Sequence, residues 1–226
     1  MEPAQATDFM DLPGDYGVFR PRQIGFRPEQ VLRVHRYRNP ETVRPAIRKA
    51  AEQIAGMAEK LVTPEVHYRR LGTRSLVDGI LTLENGVTFR NEAFHRHLDG
   101  AHEVVVTIAT MGRALDDEVI GMMDRFEPLE ALFLETCGWL GVEQTAKQFG
   151  DFLRGLVNRN GLRVCCRMAP GYSYRVGDRE VNWPLEDQRQ IFNAFSGIDL
   201  PVRLLESCAM LPKMSRSGIY GLAPVN

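Results

Sequence analysis

Residues 128–158 limit the possible folds most. Apolar side chains recur there at helical spacing, through Leu129, Leu132 and Phe133, Trp139 and Leu140, Ala146, Phe149, Phe152 and Leu153, with Thr136 and Glu143 falling in the same stripe. Pro128 opens the stretch, and its preset φ and missing N–H suit a first helical turn. The longest helix of the chain is predicted here. An acid inside an apolar stripe must be paired or must face a cleft. Glu143 is therefore a candidate site residue, against the plainer reading of a boundary acid bonded to an arginine. Gly138 and Gly141 lie just before it and leave room for a backbone or a ligand to approach.

The flanking patterns set the class. Residues 31–37 alternate apolar and basic side chains and predict a strand. A helix is predicted over 40–61, opened by Pro40 and Glu41. Strands are predicted at 66–71, 77–83 and, most clearly, 103–109, which is mostly Val, Ile and Thr. Short and longer helices are predicted at 91–98 and 113–126. After the long helix come a strand at 162–168, a helix at 185–195 and short strands at 202–205, 208–211 and 219–222. Strands and helices do not alternate regularly. That order favours an α+β fold, with long helices packed on a mixed or antiparallel sheet, over a doubly wound sheet. Residues 1–27 hold Pro3, Pro13, Gly14 and Pro21 among scattered charges and read as an irregular arm. The expected division is that arm, then one domain over 28–226. Its helical part spans 28–160 and its motif-bearing part 161–226.

Composition removes several functions. The chain has 226 residues and a formal net charge of -1. That balance makes no case for nucleic acid or an anionic membrane as partner. No apolar run approaches the ~20 residues of a membrane span. Residues 1–15 lack the apolar core of a signal peptide, so a cytoplasmic location is expected. Cys165 and Cys166 are adjacent, without CxxC spacing, and read with Cys137 and Cys208 as buried small hydrophobes. In a regular strand the adjacent pair would point to opposite faces. The five histidines show no metal-ligand spacing and are assigned surface or structural roles. No dinucleotide fingerprint, P-loop or GxSxG elbow is present. The expected site has no catalytic nucleophile or base and no metal.

Chemistry concentrates in the closing quarter. Arg167-Met168-Ala169-Pro170-Gly171-Tyr172 forms a tight corner, because Pro170 extends Ala169 and Gly171 permits a positive φ. A guanidinium there suits a carboxylate, and a tyrosine face suits adenine or a sulfonium. A strand-ending turn with a salt-bridged arginine is the plain alternative. Trp183-Pro184-Leu185-Glu186-Asp187-Gln188 and Glu206-Ser207-Cys208-Ala209-Met210-Leu211-Pro212 follow. Ser215-Arg216-Ser217-Gly218-Ile219-Tyr220-Gly221 comes last. Glu206 could bind an ammonium or simply accept local amides.

In this order, these motifs resemble the activation domain of cobalamin-dependent methionine synthase, which binds S-adenosylmethionine (SAM) and helps remethylate an inactivated corrinoid. The resemblance spans 28–222 and is most specific over 167–221. It implies a SAM cradle of Arg167, Ala169, Gly171 and Tyr172, completed by Tyr220 and the Gly221 backbone. Glu143 or Glu206 would take the ammonium. The Asp-x-His-x-x-Gly corrinoid-ligating motif is absent. The cobalamin would then sit on a partner, a corrinoid-binding methyltransferase protein, with flavodoxin or another reductant as electron source. The implied activity is that of a SAM-dependent methyltransferase component, the reactivation part of a split methionine synthase. Two other readings stand beside it. One is a non-catalytic module docking on a corrinoid protein without SAM. The other is a component of another corrinoid methyl-transfer or demethylation pathway. The chain departs from the family at Gly161 and Lys147, where the family has acids, and by an insertion over 173–182.

Overall fold

The computed structural model describes residues 16–39 and 42–225. Strand β1 (Tyr16–Phe19) and helices α1 (Pro28–Val34) and α2 (Pro45–Leu61) lead into β2 (Glu65–Val77), β3 (Ile80–Leu83) and β4 (Thr88–Arg90). A single-turn helix, α3 (Phe94–His97), precedes β5 (Glu103–Thr110). Helices α4 (Ala114–Asp124) and α5 (Pro128–Asn158) follow, then β6 (Leu162–Met168) and the hairpin of β7 (Ser173–Val176) and β8 (Arg179–Asn182). Helix α6 (Gln188–Asn193), the short pair β9 (Arg203–Leu204) and β10 (Met210–Leu211), and β11 (Ser215–Pro224) complete the chain.

The main sheet runs β4-β3-β2-β5-β11-β6, with β1 added along β2. All its pairings are antiparallel. The fold is therefore α+β with an antiparallel sheet. Val104, Val105, Val106 and Ile108 of β5 are wholly buried, because both faces of the sheet are covered. On one face, Val66, Tyr68, Val105, Ala109, Tyr220 and Leu222 pack against α1, α2, α4 and α5. On the other, Val104, Val106, Ile108, Met168 and Ile219 meet Phe89, Phe94, Trp183, Ile191 and Phe195. Burial of each large side chain of this kind contributes roughly 1.5–3 kcal/mol.

Several expectations are corrected. Residues 31–37 do not form a strand, since Pro28–Val34 is helix. Pro28 stands in its first turn with Glu29 beside it, and Val31 and Leu32 turn together into the core. Alternation over a few residues could not reveal that shared burial. Within the expected irregular arm, Tyr16–Phe19 is a strand paired with β2, while residues 1–15 lie outside the described residues. Helix α2 starts at Pro45, and Pro40 and Glu41 lie outside the described residues. The break expected between 71 and 77 is continuous strand; the chain turns instead at Asp78 and Gly79, both with positive φ. The insertion over 173–182 is a hairpin.

Helix α5 has the expected bounds, and its buried stripe keeps part of the expected one but is rotated away from Leu132 and Trp139. Trp139 is 52% exposed, and Leu132 is exposed too. Phe133, Thr136, Ala146, Phe149 and Leu153 of the expected stripe are buried, and Leu134, Cys137, Gly138, Gly141, Val142 and Thr145 face inward beside them. Small residues win because side chains press on them: a Cβ on Gly138 would lie 2.6 Å from Met214, and one on Gly141 2.6 Å from Met111. Cys165 and Cys166 do not point to opposite faces. The β6–β11 register slips between Tyr220 and Leu222, so both cysteines oppose Gly221 in a bulge and pack toward one core.

Candidate functional site

The register of β6 on β11 sets Arg167 opposite Tyr220. Both face α5. The Arg167 side chain lies over Gly218, and its Nη2 donates to the Ser217 carbonyl at 3.2 Å. A Cβ on Gly218 would sit 2.7 Å from the Met168 carbonyl oxygen and 3.5 Å from Arg167 Nε. Glycine is thus required where the arginine crosses the strand. From α5 come Glu143, Ala146, Lys147, Gly150 and Arg154. Together with Arg167 and Tyr220 they line a cleft of about 200 Å³. The Tyr220 hydroxyl donates to the Ala146 carbonyl at 3.3 Å. Burial pushes that hydroxyl above its usual pKa, and the positive charges of Arg167, Arg216 and Arg154 oppose the rise.

Arg216 also faces this side of β11. It donates to Glu143 Oε1, and its guanidinium carbon lies 5.2 Å from the centre of the Tyr172 ring. Its side chain is 15% exposed, against 42% for Glu143. Burial lowers its pKa below the usual arginine value. Among the described residues, its Nε has no hydrogen-bond partner.

The corner at 169–172 is clamped from behind. The Tyr174 hydroxyl accepts from the Ala169 N–H at 2.6 Å and donates to the Ala169 carbonyl at 3.1 Å. Gly171, at φ 85°, donates its N–H to the Trp183 carbonyl at 2.7 Å, and Trp183 donates its own to Tyr172 at 2.9 Å. The buried Trp183 indole donates to Asp187 at 2.6 Å. Ser217 donates to Gln188 Oε1 at 2.6 Å. The corner, the tryptophan segment and the final strand therefore form one bonded unit.

The structure brings Arg167, Tyr220 and Glu143 into one cleft and ties Tyr172 to it through Arg216. It places the other candidates differently. Both backbone groups of Ala169 are taken by Tyr174, and the Gly171 N–H by Trp183. Gly221 faces the opposite side of the sheet, where a Cβ would meet Leu98 at 2.9 Å and Ala101 at 3.2 Å. Glu206 is exposed in the turn between β9 and β10, where its carbonyl accepts from Arg189 at 2.6 Å. Glu206 does not line the cleft. Met168 and Met214 are core residues. Sequence reasoning missed Arg216, Arg154 and Tyr174. The signal for Arg216 was available: it lies four residues before Tyr220 on one strand, hence on the same face.

A larger cavity, about 520 Å³, lies between α4 and the β9–β10 region, lined in part by Ile120, Leu200, Arg203 and Met214. It contains none of the residues nominated for the SAM cradle. Among the described residues, no group of three His, Cys, Asp or Glu could hold a metal ion, and no helix is long and apolar enough to cross a membrane.

A crystal structure of the MetH reactivation domain bound to AdoHcy superposes on the chain with a TM-score of 0.57, covering 98% of this chain and 84% of that one at 13% identity. The fold is that of the MetH reactivation domain. At this identity the likeness to the MetH reactivation domain concerns architecture alone. No protein-family model matches the chain, and no curated protein sequence matches it.

Proposed function

We propose that the chain is the reactivation component of a corrinoid-dependent methyltransferase. It would hold SAM in the cleft between α5 and the β6–β11 pair, for methylation of a reduced corrinoid carried by a partner protein. Arg167 carries the reading. Among the described residues, no carboxylate lies within ion-pair distance of its guanidinium. Its planar fork suits the α-carboxylate of an amino-acid ligand. A cleft of about 200 Å³ is smaller than the ~300 Å³ of a typical small-molecule pocket. It would take the amino-acid end of such a ligand.

Bound SAM supplies an electrophilic methyl group. An external donor, flavodoxin or another reductant, would give one electron to cob(II)alamin on the partner. The resulting cob(I)alamin is itself the nucleophile, so the chain needs no base or nucleophile of its own. Its residues would bind and orient. The partner would be the corrinoid-binding protein of a split methionine synthase, in the cytoplasm. A second reading, a module that docks on a corrinoid protein without SAM, is favoured by one observation: Glu143, the acid of the cleft, is already paired with Arg216.

Titration calorimetry with SAM and with AdoHcy tests the proposal. Binding is expected, and Arg167→Ala should weaken it about 10- to 100-fold, the worth of a charged hydrogen bond. No binding of either ligand, with or without a corrinoid protein present, would sink it. Capture of a corrinoid protein by the same preparation would then support the docking module.

A further inference from the structure

We propose that the cleft sorts adenosyl ligands by charge, with Arg216 as the deciding residue. It takes AdoHcy, whose sulfur is a neutral thioether, in preference to SAM, whose sulfur is a cation. This rests on the reading above, that the cleft takes an adenosyl amino-acid ligand, and it narrows which one.

A cationic sulfur is held by a carboxylate or by an aromatic face. The cleft region offers one of each, and one side chain occupies both. Glu143, the one acid among the described residues lining the cleft, accepts from Arg216. The exposed Tyr172 ring carries the same guanidinium 5.2 Å from its centre. Arg216 is mostly buried at 15% exposure, so the arrangement is shielded from solvent on the arginine side. A guanidinium thus already stands where a ligand cation would be stabilised.

The other charges act in the same direction. Lys147, Arg154 and Arg167 line the cleft. Arg154 pairs with Asp151 in an exposed bridge, which screening weakens. Among the described residues, Lys147 has no carboxylate within ion-pair distance, as Arg167 has none. Three guanidinium groups, those of Arg167, Arg216 and Arg154, act on the Tyr220 hydroxyl against the lone carboxylate of Asp151. This field attracts a carboxylate and repels a sulfonium. Product would be held more tightly than methyl donor, and methyl transfer would slow as AdoHcy accumulates.

Calorimetry on the full chain, with SAM and AdoHcy as probes, tests this. AdoHcy is expected to bind about tenfold more tightly than SAM at low salt, with the gap narrowing at high salt as surface charges are screened. Arg216→Met keeps an apolar stem and releases Glu143 and Tyr172. It should shift the SAM-to-AdoHcy affinity ratio toward SAM by about fivefold or more. Lys147→Glu, at an exposed position that a folding defect does not threaten, should shift the ratio the same way. SAM binding as tightly as AdoHcy to the unmodified chain, or a ratio that Lys147→Glu leaves unmoved, overturns the charge sorting and leaves the adenosyl-ligand reading in place. Binding of neither ligand overturns both.

Discussion

The Ser217 hydroxyl donates to Gln188 Oε1 at 2.6 Å, and both side chains are buried. This bond joins β11 to α6 on the sheet face away from the cleft. The same Ser217 offers its carbonyl to Arg167 on the cleft side. One residue therefore links the packing of the tryptophan segment to the position of the cleft-lining arginine.

Ser217→Ala should leave Gln188 buried without that partner, at a cost of about 1–3 kcal/mol. For a chain of this size, about 1 kcal/mol lowers Tm by roughly 2–4 °C. Gln188→Leu should cost a similar amount. The double variant should lose less than the sum of the two, because each single change strands the other group. Urea denaturation of all three variants measures the coupling.

Gly218→Ala should destabilise the chain by about 1–3 kcal/mol, since its Cβ would lie 2.7 Å from the Met168 carbonyl. It should also push Arg167 off its path over the strand. Ligand affinity should therefore fall further than in a Ser217→Ala chain of equal stability. Calorimetry alongside a denaturation curve separates the two effects.

Tyr174→Phe should strand the Ala169 N–H, which now donates to the hydroxyl at 2.6 Å. A loss of about 1–3 kcal/mol is expected. The corner at 169–172 should also loosen locally, which hydrogen exchange of the Gly171 amide reports, because its bond to Trp183 depends on the same corner.

Burial pushes the Cys137 thiol from 9.0 up to about 12. The unfolded chain then ionises this thiol first. Stability should be unaffected below about pH 9 and should decline from there toward pH 12, at up to about 1.4 kcal/mol per pH unit from this group. Cys137→Ala should flatten that part of a stability–pH curve. At pH 8 the thiol should resist alkylation until the chain is unfolded.

Elements with a strong local pattern were legible in the sequence. The bounds of α5 and β6 follow from Pro128, the apolar period and the Val-Cys-Cys run. The corner at Pro170 and Gly171 follows from the geometry those residues permit. The strand expected at 31–37 failed because a seven-residue alternation also fits a helix, and packing under α2 and α5 chose the helix. Within α5, counting apolar residues turned the helix toward Trp139. The core preferred the glycines, because Met111 and Met214 needed the space.

The candidate site divides along the same line. Arg167 was nominated from the chemistry of its corner and Tyr220 from the family resemblance alone, and both line the cleft. Ala169, Gly171, Gly221 and Glu206 carry the right residue types, but their backbones or faces are engaged by Tyr174, Trp183, Leu98 and Arg189. Glu143 illustrates the limit: its place in an apolar stripe required a partner or a cleft, and the structure supplies both.

The sequence alone determined the α+β class, the longest helix and the corner that carries Arg167. These depend on backbone preference and periodicity over neighbouring residues. Only the tertiary structure decided the charge of the cleft. Glu143 and Arg216 are 73 residues apart, and they meet because β11 lies beside β6 beneath α5. Whether a carboxylate is open to a ligand depends on which cation the fold brings to it, and no local pattern encodes that distance.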